Sequence, residues 1–454
     1  MLTVMQIEKL HLENIGVFEN LDLAFQPCEQ RGADIHIFTG TNGSGKSTLL
    51  YALAGALAGP FQQHPHLIFQ RFHHTNPKAF VEVLFENQQV INYALKKCKK
   101  KSYFTDLPLI THENPPRYSP IRHAYASQNQ QSVEDFLNHF LRDQNAPHDA
   151  GTAFAAFAYS GNRSLNSIEQ LALEELELDP YDNALSFLNT TDSQQIIQSI
   201  AAQKMKQAIE LTKNNQKRAE QYYAVVQTIE KVIQDIIGWE IQFNLETQPF
   251  NLFLEVNGRI LEFDVLPDGL KSIISLLADL IRRLDKIKWI DDHNVNVLER
   301  HFILLLDEID IHLHPAWQRK ILPVLQKIFP NAQIFVSTHS PFVVGSVNDA
   351  YVYAFKLTEN DISILDKVAP SQVGNSYSLI LEDIFGVDES FDEETEKQFR
   401  EFYQLRDEIM HGDDNKIVEW QQLAHLMMAK GIEVRDIVGT ELRQMSRILG
   451  KDLL

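Results

Sequence analysis

The chain has 454 residues, a formal net charge of −20 and 44% apolar side chains; the length predicts two or three domains, and the charge argues against a protein that coats nucleic acid over most of its surface. No run of roughly eighteen uncharged apolar residues is present to span a bilayer, and the N-terminus lacks the basic segment and apolar core of a signal peptide, so a cytoplasmic protein is expected; no membrane partner is expected either, although a soluble subunit of a transporter would share these features. Only Cys28 and Cys98 occur, outside any metal-ligand spacing, which predicts neither disulfides nor structural zinc.

Early in the chain, Ile35-His36-Ile37-Phe38 reads as a buried strand and residues 49–57 as a helix. Between them Gly40-Thr41-Asn42-Gly43-Ser44-Gly45-Lys46-Ser47-Thr48 fits the phosphate-loop pattern G-x-x-x-x-G-K-[ST]. In that pattern Asn42, Gly43, Ser44 and Gly45 curl backbone N–H groups around phosphate oxygens, Lys46 neutralises their charge, Ser47 is placed for Mg²⁺, and Thr48 leads into the helix. ATP and Mg²⁺ are therefore the expected ligands, with an ordinary Gly-rich turn as the bland alternative.

Residues 61–78 carry His64, His66, His73 and His74 in a Pro- and Gln-rich loop, a poor metal site because no acid or Cys stands nearby. A hairpin is expected over 80–84 and 90–95, ending in Lys96, Lys97, Lys99, Lys100 and Lys101. These lysines read as a solvated loop or a local phosphate contact. From about 179 to 237 the pattern becomes helical without sustained heptads, predicting a short arm rather than a long coiled coil.

Phe302-Ile303-Leu304-Leu305-Leu306 is an uninterrupted apolar run ending in Asp307-Glu308. A buried parallel strand delivers both carboxylates to its C-terminal edge, where Asp307 would serve the Mg²⁺ shell and Glu308 would orient or deprotonate the attacking water. A third strand, Gln333-Ile334-Phe335-Val336-Ser337-Thr338, ends at His339-Ser340-Pro341, placing an imidazole where it could contact the γ-phosphate. The last core strands are expected near 351–365, followed by helices over 377–385 and 395–409. Residues 382–396 hold eight acids and no base, a solvated face or a docking surface for a basic partner.

These motifs, with the opening Ile7-Glu8-Lys9-Leu10-His11-Leu12-Glu13-Asn14-Ile15-Gly16-Val17-Phe18 and the stretch Leu306-Asp307-Glu308-Ile309-Asp310-Ile311-His312-Leu313-His314-Pro315-Ala316-Trp317-Gln318, resemble the ATP-binding-cassette superfamily in its chromosome-maintenance and RecF-like branch, and the AAA-type ATPases related to the OLD (overcoming lysogenization defect) family. The resemblance implies an α/β, RecF/SMC-like P-loop ATPase core with ATP sandwiched between two subunits, hence a homo-oligomer. The core would occupy 1–175 and 241–368, interrupted by a helical insertion at 176–240 and followed by a helical oligomerisation or docking region at 369–454. Leu266-Pro267-Asp268-Gly269-Leu270-Lys271-Ser272 stands where the family's L-S-x-G signature is expected. Asp268, Gly269 and Lys271 would then meet a partner's γ-phosphate, although Pro267 removes the usual serine hydroxyl and P-D-G is also a common turn. For the family's glutamine loop, Gln128 and the stretch Tyr159-Ser160-Gly161-Asn162-Arg163 both remain candidates.

OLD proteins continue into a Toprim nuclease, and nothing in the terminal helical residues resembles one. The combination is similar to the Septu-type (PtuA) ATPases of prokaryotic anti-phage systems, with PARIS-type ATPases as a near rival. It implies a slow, Mg²⁺-dependent ATPase controlling a separate nuclease effector, HNH-type in the first case and Toprim in the second, with nucleic acid met through the complex. The alternatives are a RecF-like repair ATPase that binds DNA directly and a transporter cassette. The 261 residues from Lys46 to Asp307 count against the latter.

Overall fold

A computed structural model describes residues 6–29, 32–58, 79–86, 88–95, 101–107, 109–111, 121–126, 155–163, 179–187, 191–247, 250–289, 295–371 and 373–453. Lys96–Lys100 of the basic run, the four loop histidines and Gln128 lie outside these residues. The chain divides into two compact units, Met1–Ile380 and Leu381–Leu454.

Among the described residues the larger unit is built on two six-stranded sheets, with a smaller three-stranded one beside them in the chain. Strands β1 (Ile7–Ile15) and β2 (Phe18–Ala24) form an antiparallel pair, and the chain then enters β3 (Asp34–Gly40) and helix α1 (Lys46–Ala58). It returns through β4 (Phe80–Phe85), β5 (Val90–Leu95), β6 (Ile110–Thr111) and β7 (Ile121–Ala126), giving an antiparallel sheet of order β2-β1-β4-β5-β7-β6. After β8 (Ala155–Tyr159) comes an arm of two helices, α2 (Ser193–Thr212) and α3 (Gln216–Ile237). Asp192 caps α2 by accepting from the N–H groups of Gln194 and Gln195, and Gly238 ends α3 at φ 75°.

Helix begins at Ser193, whereas the sequence reads as helical from about 179. The residues between include a turn through Pro180 with Asn183 at φ 52° and a bridge from Phe187 to Tyr159. The backbone there is held by Arg283, whose Nη1 donates to the carbonyls of Pro180 and Asp182, each at 2.8 Å. A tertiary anchor thus overrides the local pattern.

Beyond the arm, β9 (Ile241–Thr247), β10 (Phe250–Val256) and β11 (Arg259–Leu261) form an antiparallel meander that leads into helix α4 (Asp268–Lys286). The remaining core elements are β12 (Phe302–Leu306), α5 (Pro315–Ile328), β13 (Ala332–Ser337), the short α6 (Pro341–Val344), β14 (Tyr351–Leu357) and β15 (Ser363–Pro370). The second sheet has the order β15-β14-β3-β13-β12-β8 and is parallel except at its β15 edge. Its central strands are apolar runs because both faces are covered: every residue of β12, β13 and β8 is buried.

Helix α1 lies between the two sheets, where Leu49, Leu50 and Leu53 join Leu10, Val81, Ile303, Leu305 and Phe335 in one core. Each such side chain contributes about 1.5–3 kcal/mol on full burial. That core fixes the turn before α1 against the ends of β12 and β13. Helix α4 is buried on nearly its whole circumference and packs against α2 and α3.

Helix α7 (Tyr377–Phe385) crosses the division between the units. The smaller unit continues with α8 (Glu393–Met410), α9 (Ile417–Met428) and α10 (Ile432–Leu449) around Phe402, Trp420, Met427 and Val438. Trp420 stacks on Phe402 at 4.9 Å and its indole N–H donates to the Phe402 carbonyl at 3.0 Å. Among the described residues no helix is long and apolar enough to cross a membrane.

Candidate nucleotide site

The site is a product of strand order. Because β3, β13 and β12 are parallel neighbours, their C-terminal ends deliver residues 40–48, 337–339 and 307–308 to one edge. The turn after β3 needs its glycines: Gly43 and Gly45 hold φ 83° and 90°, and a Cβ on Gly45 would lie 2.6 Å from the Phe18 ring.

Lys46 is buried, and its Nζ donates to the carbonyls of Gly40 at 3.0 Å and Thr41 at 2.9 Å. Burial lowers its pKa to about 8, opposed by the negative charges of Asp307, Glu308 and Asp310. Ser47 Oγ donates to Asp307 Oδ1 at 2.8 Å, joining the phosphate-loop helix to the end of β12. Ser44 is fully buried and, among the described residues, its Oγ has no hydrogen-bond partner. Its carbonyl accepts from Ser363 Oγ at 2.7 Å. Asn42 is exposed and Thr48 buried in the first turn of α1.

Hydroxyls at the end of β13 organise the acids. Ser337 Oγ donates to Asp307 Oδ1 at 2.6 Å and accepts the Glu308 N–H at 2.8 Å, while Thr338 Oγ1 donates to Asp310 Oδ1 at 2.6 Å. Glu308 itself sits at φ 49°, a left-handed conformation that costs a bulky residue about 1 kcal/mol and concentrates at functional sites. Gln318 closes the arrangement. Its Nε2 donates to the carbonyls of Asp310 and Leu313, and its Oε1 accepts from Ser340 Oγ at 2.7 Å. The His339 pKa is lowered by burial and by the Lys46 charge, with Asp310 and Asp307 acting the other way, so the ring is neutral near pH 7.

Asp268, Gly269 and Lys271 open α4 and are engaged with their own surroundings rather than with the phosphate loop. Pro267 supplies no side-chain cap to the helix. Asp268 is exposed, Gly269 backs onto the His312 carbonyl, and Lys271 Nζ donates to the Asp264 carbonyl at 2.9 Å. The sequence reading included Ser337, Asp310 and Gln318 in stretches that resemble family motifs but gave none of them a role of its own; the signal available for the first was a small hydroxyl at the end of a buried strand.

An orphaned buried Ser44 hydroxyl, a buried lysine bonded to two loop carbonyls, and two hard oxygen donors at 2.8 Å form, among the described residues, a donor set that suits a triphosphate and Mg²⁺. Fold and site together define an α/β P-loop nucleotide-binding core. Residues 35–345 match the family described as "AAA domain, putative AbiEii toxin, Type IV TA system", and the chain belongs to that family.

The chain is 35% identical over 139 residues to "Retron Ec83 probable ATPase" of Escherichia coli, a match covering 30% of this chain and 25% of that protein. It is 28% identical over 218 residues to "Septu protein PtuA" of Bacillus thuringiensis, covering 47% of this chain and 54% of the relative. The matches therefore span about half or less of these relatives. A solved Smc head bound to the C-winged helix domain of ScpA aligns with 80% of this chain and 98% of its own at 14% identity, with a TM-score of 0.45.

Proposed function

We propose that this chain binds and hydrolyses ATP as the regulatory subunit of a prokaryotic anti-phage defence complex, and that nucleotide held between subunits restrains or releases a separate nuclease of the HNH type. The observation that carries the ATPase part is the 2.8 Å contact between Ser47 and Asp307 beside buried Lys46. Similarity to a Septu protein and a retron ATPase supports the defence setting.

Ser47 Oγ and Asp307 Oδ1 would hold Mg²⁺, which when bound offsets charge on the β- and γ-phosphates. Lys46 would exchange its two carbonyl partners for phosphate oxygens. Glu308, its backbone pinned by Ser337, would orient the attacking water and take its proton. Neutral His339 would donate an N–H to the γ-phosphate. The α4 N-terminus at Asp268 and Gly269, free of a side-chain cap, would offer its dipole to the γ-phosphate on a second copy. For Lys271 to join it, the bond to Asp264 must open. Different contacts in the two nucleotide states are what such a coupling requires.

The test is purification of the tagged chain from its native host with ATP present, beside the Lys46→Ala variant. A nuclease in stoichiometric amount with the native chain and reduced with the variant is expected. An HNH protein supports the Septu-type assignment, and a Toprim protein replaces it with the PARIS-type one. ATP binding with no nuclease partner, or with repair factors instead, would sink the defence reading.

A further inference from the structure

Ser337 closes β13 and is fully buried. In the parallel register Val336 stands beside Leu306, so the next residue along meets the acids that follow β12. Its backbone carbonyl accepts the Ile309 N–H at 3.2 Å. That bond and the strand pairing would form with any side chain, so neither requires a hydroxyl.

A serine hydroxyl has one hydrogen to give and lone pairs to accept with. Here the hydrogen goes to Asp307 Oδ1 at 2.6 Å and a lone pair takes the Glu308 N–H at 2.8 Å. Ser47 Oγ donates to the same Oδ1 at 2.8 Å. Two hydroxyls converging on one oxygen, one from α1 and one from β13, fix the rotation of the carboxylate. The N–H groups of Glu308 and Ile309 both end on Ser337, across the bend where Glu308 holds φ 49°. Gly161 packs on the same bend, where a Cβ would lie 2.7 Å from the Glu308 carbonyl oxygen. A left-handed glutamate persists only where its surroundings hold it, and Ser337 supplies two of those holds.

We propose that Ser337 is the positioning residue shared by both acids: its one hydroxyl sets the Asp307 carboxylate for the divalent cation and the Glu308 backbone for the attacking water. Metal affinity and proton abstraction then depend together on a side chain that is itself neither ligand nor base. This assignment deepens the ATPase reading above and rests on it.

The experiment uses the full chain with Ser337→Ala or Ser337→Thr, each alone and combined with Glu308→Gln. Electron paramagnetic resonance gives the Mn²⁺ affinity of the ADP-bound chain, and single-turnover ATP hydrolysis is followed at saturating Mg²⁺. Ser337→Ala is expected to weaken Mn²⁺ binding by about tenfold, the low end for a lost partner of a metal ligand. It should slow hydrolysis by about tenfold to a hundredfold through misplacement of Glu308, with metal-free ADP affinity unchanged. Ser337→Thr, which keeps a hydroxyl, should retain most of both. In the Glu308→Gln chain, Ser337→Ala should weaken Mn²⁺ as before but slow hydrolysis little further, because the base it places is gone. Unchanged Mn²⁺ affinity, an undiminished rate, or the same fractional slowing with and without the Glu308 carboxylate overturns the proposal. So does a loss confined to urea stability, or a folded Ser337→Thr as impaired as Ser337→Ala. If Ser337→Thr does not fold, Ser337→Ala in the two backgrounds decides alone. Failure of the parent chain to bind ADP would instead overturn the nucleotide-site reading.

Discussion

At Lys46, two consequences of one pKa run in opposite directions. Burial holds the folded value near 8, below the ordinary lysine value of 10.5. The unfolded chain therefore binds more protons between the two values, and stability gains as pH rises through that window. Triphosphate binding needs the ammonium form, so affinity should fall by about tenfold between pH 7 and pH 9, measurable with a fluorescent ATP analogue. A flat profile would mean that Lys46 keeps its ordinary pKa. In the proposed mechanism the Glu308 side chain, not its left-handed backbone, takes the water's proton. Glu308→Gln should slow turnover by about 10²–10⁴-fold, the range of a lost general base, with ATP affinity nearly unchanged. Unaltered single-turnover hydrolysis would remove Glu308 from the mechanism.

At the scale of elements, the join between β8 and α4 is held by buried charge. Asp279 is fully buried and accepts from Tyr159 OH at 3.0 Å, Arg282 Nη2 at 2.5 Å and Arg283 Nε at 2.6 Å. Arg283 also anchors the turn at Pro180 and Asp182. Removing the carboxylate leaves two guanidiniums uncompensated, so Asp279→Leu should destabilise by about 3–5 kcal/mol. Tyr159→Phe, which deletes one hydrogen bond, should cost about 1 kcal/mol. Urea unfolding of the two variants checks the order, and equal costs would mean that the carboxylate is not the keystone of the join.

For the molecule as a whole, acid stability has an identifiable internal term. His36 in β3 is buried, stacks on Phe335 at 4.9 Å and has no partner for its Nδ1 among the described residues. Burial lowers its pKa to about 3 from 6.5. As pH falls below 6.5 the unfolded chain takes up a proton that the folded one refuses, so stability declines progressively toward pH 3. This single group should remove about 2 kcal/mol between pH 7 and pH 5, and His36→Phe should flatten that part of the profile in urea titrations. The smaller unit has its own aromatic core, so a fragment of residues 381–454 should unfold cooperatively by circular dichroism. Trp420→Ala, a large cavity in that core, should cost it about 3–5 kcal/mol. A gradual, non-cooperative melt of the native fragment would show that the unit depends on the rest of the chain.

The parts of the site legible in the sequence are those whose chemistry is local. Residues 40–48 contain their own turn, β12 ends in its acids, and β13 runs directly into His339. Each is specified within one loop or one buried strand, where the pattern of apolar residues and glycines already dictates the backbone. Whether the turn at Pro180 continues as helix, which acid Ser337 holds, and that Gly161 packs against the Glu308 backbone were decided only by tertiary structure. Ser47 meets Asp307 across 260 residues and Tyr159 meets Asp279 across 120. Such pairings follow from the order of strands in the sheet, and strand order leaves no period in the sequence because every buried parallel strand carries the same apolar run.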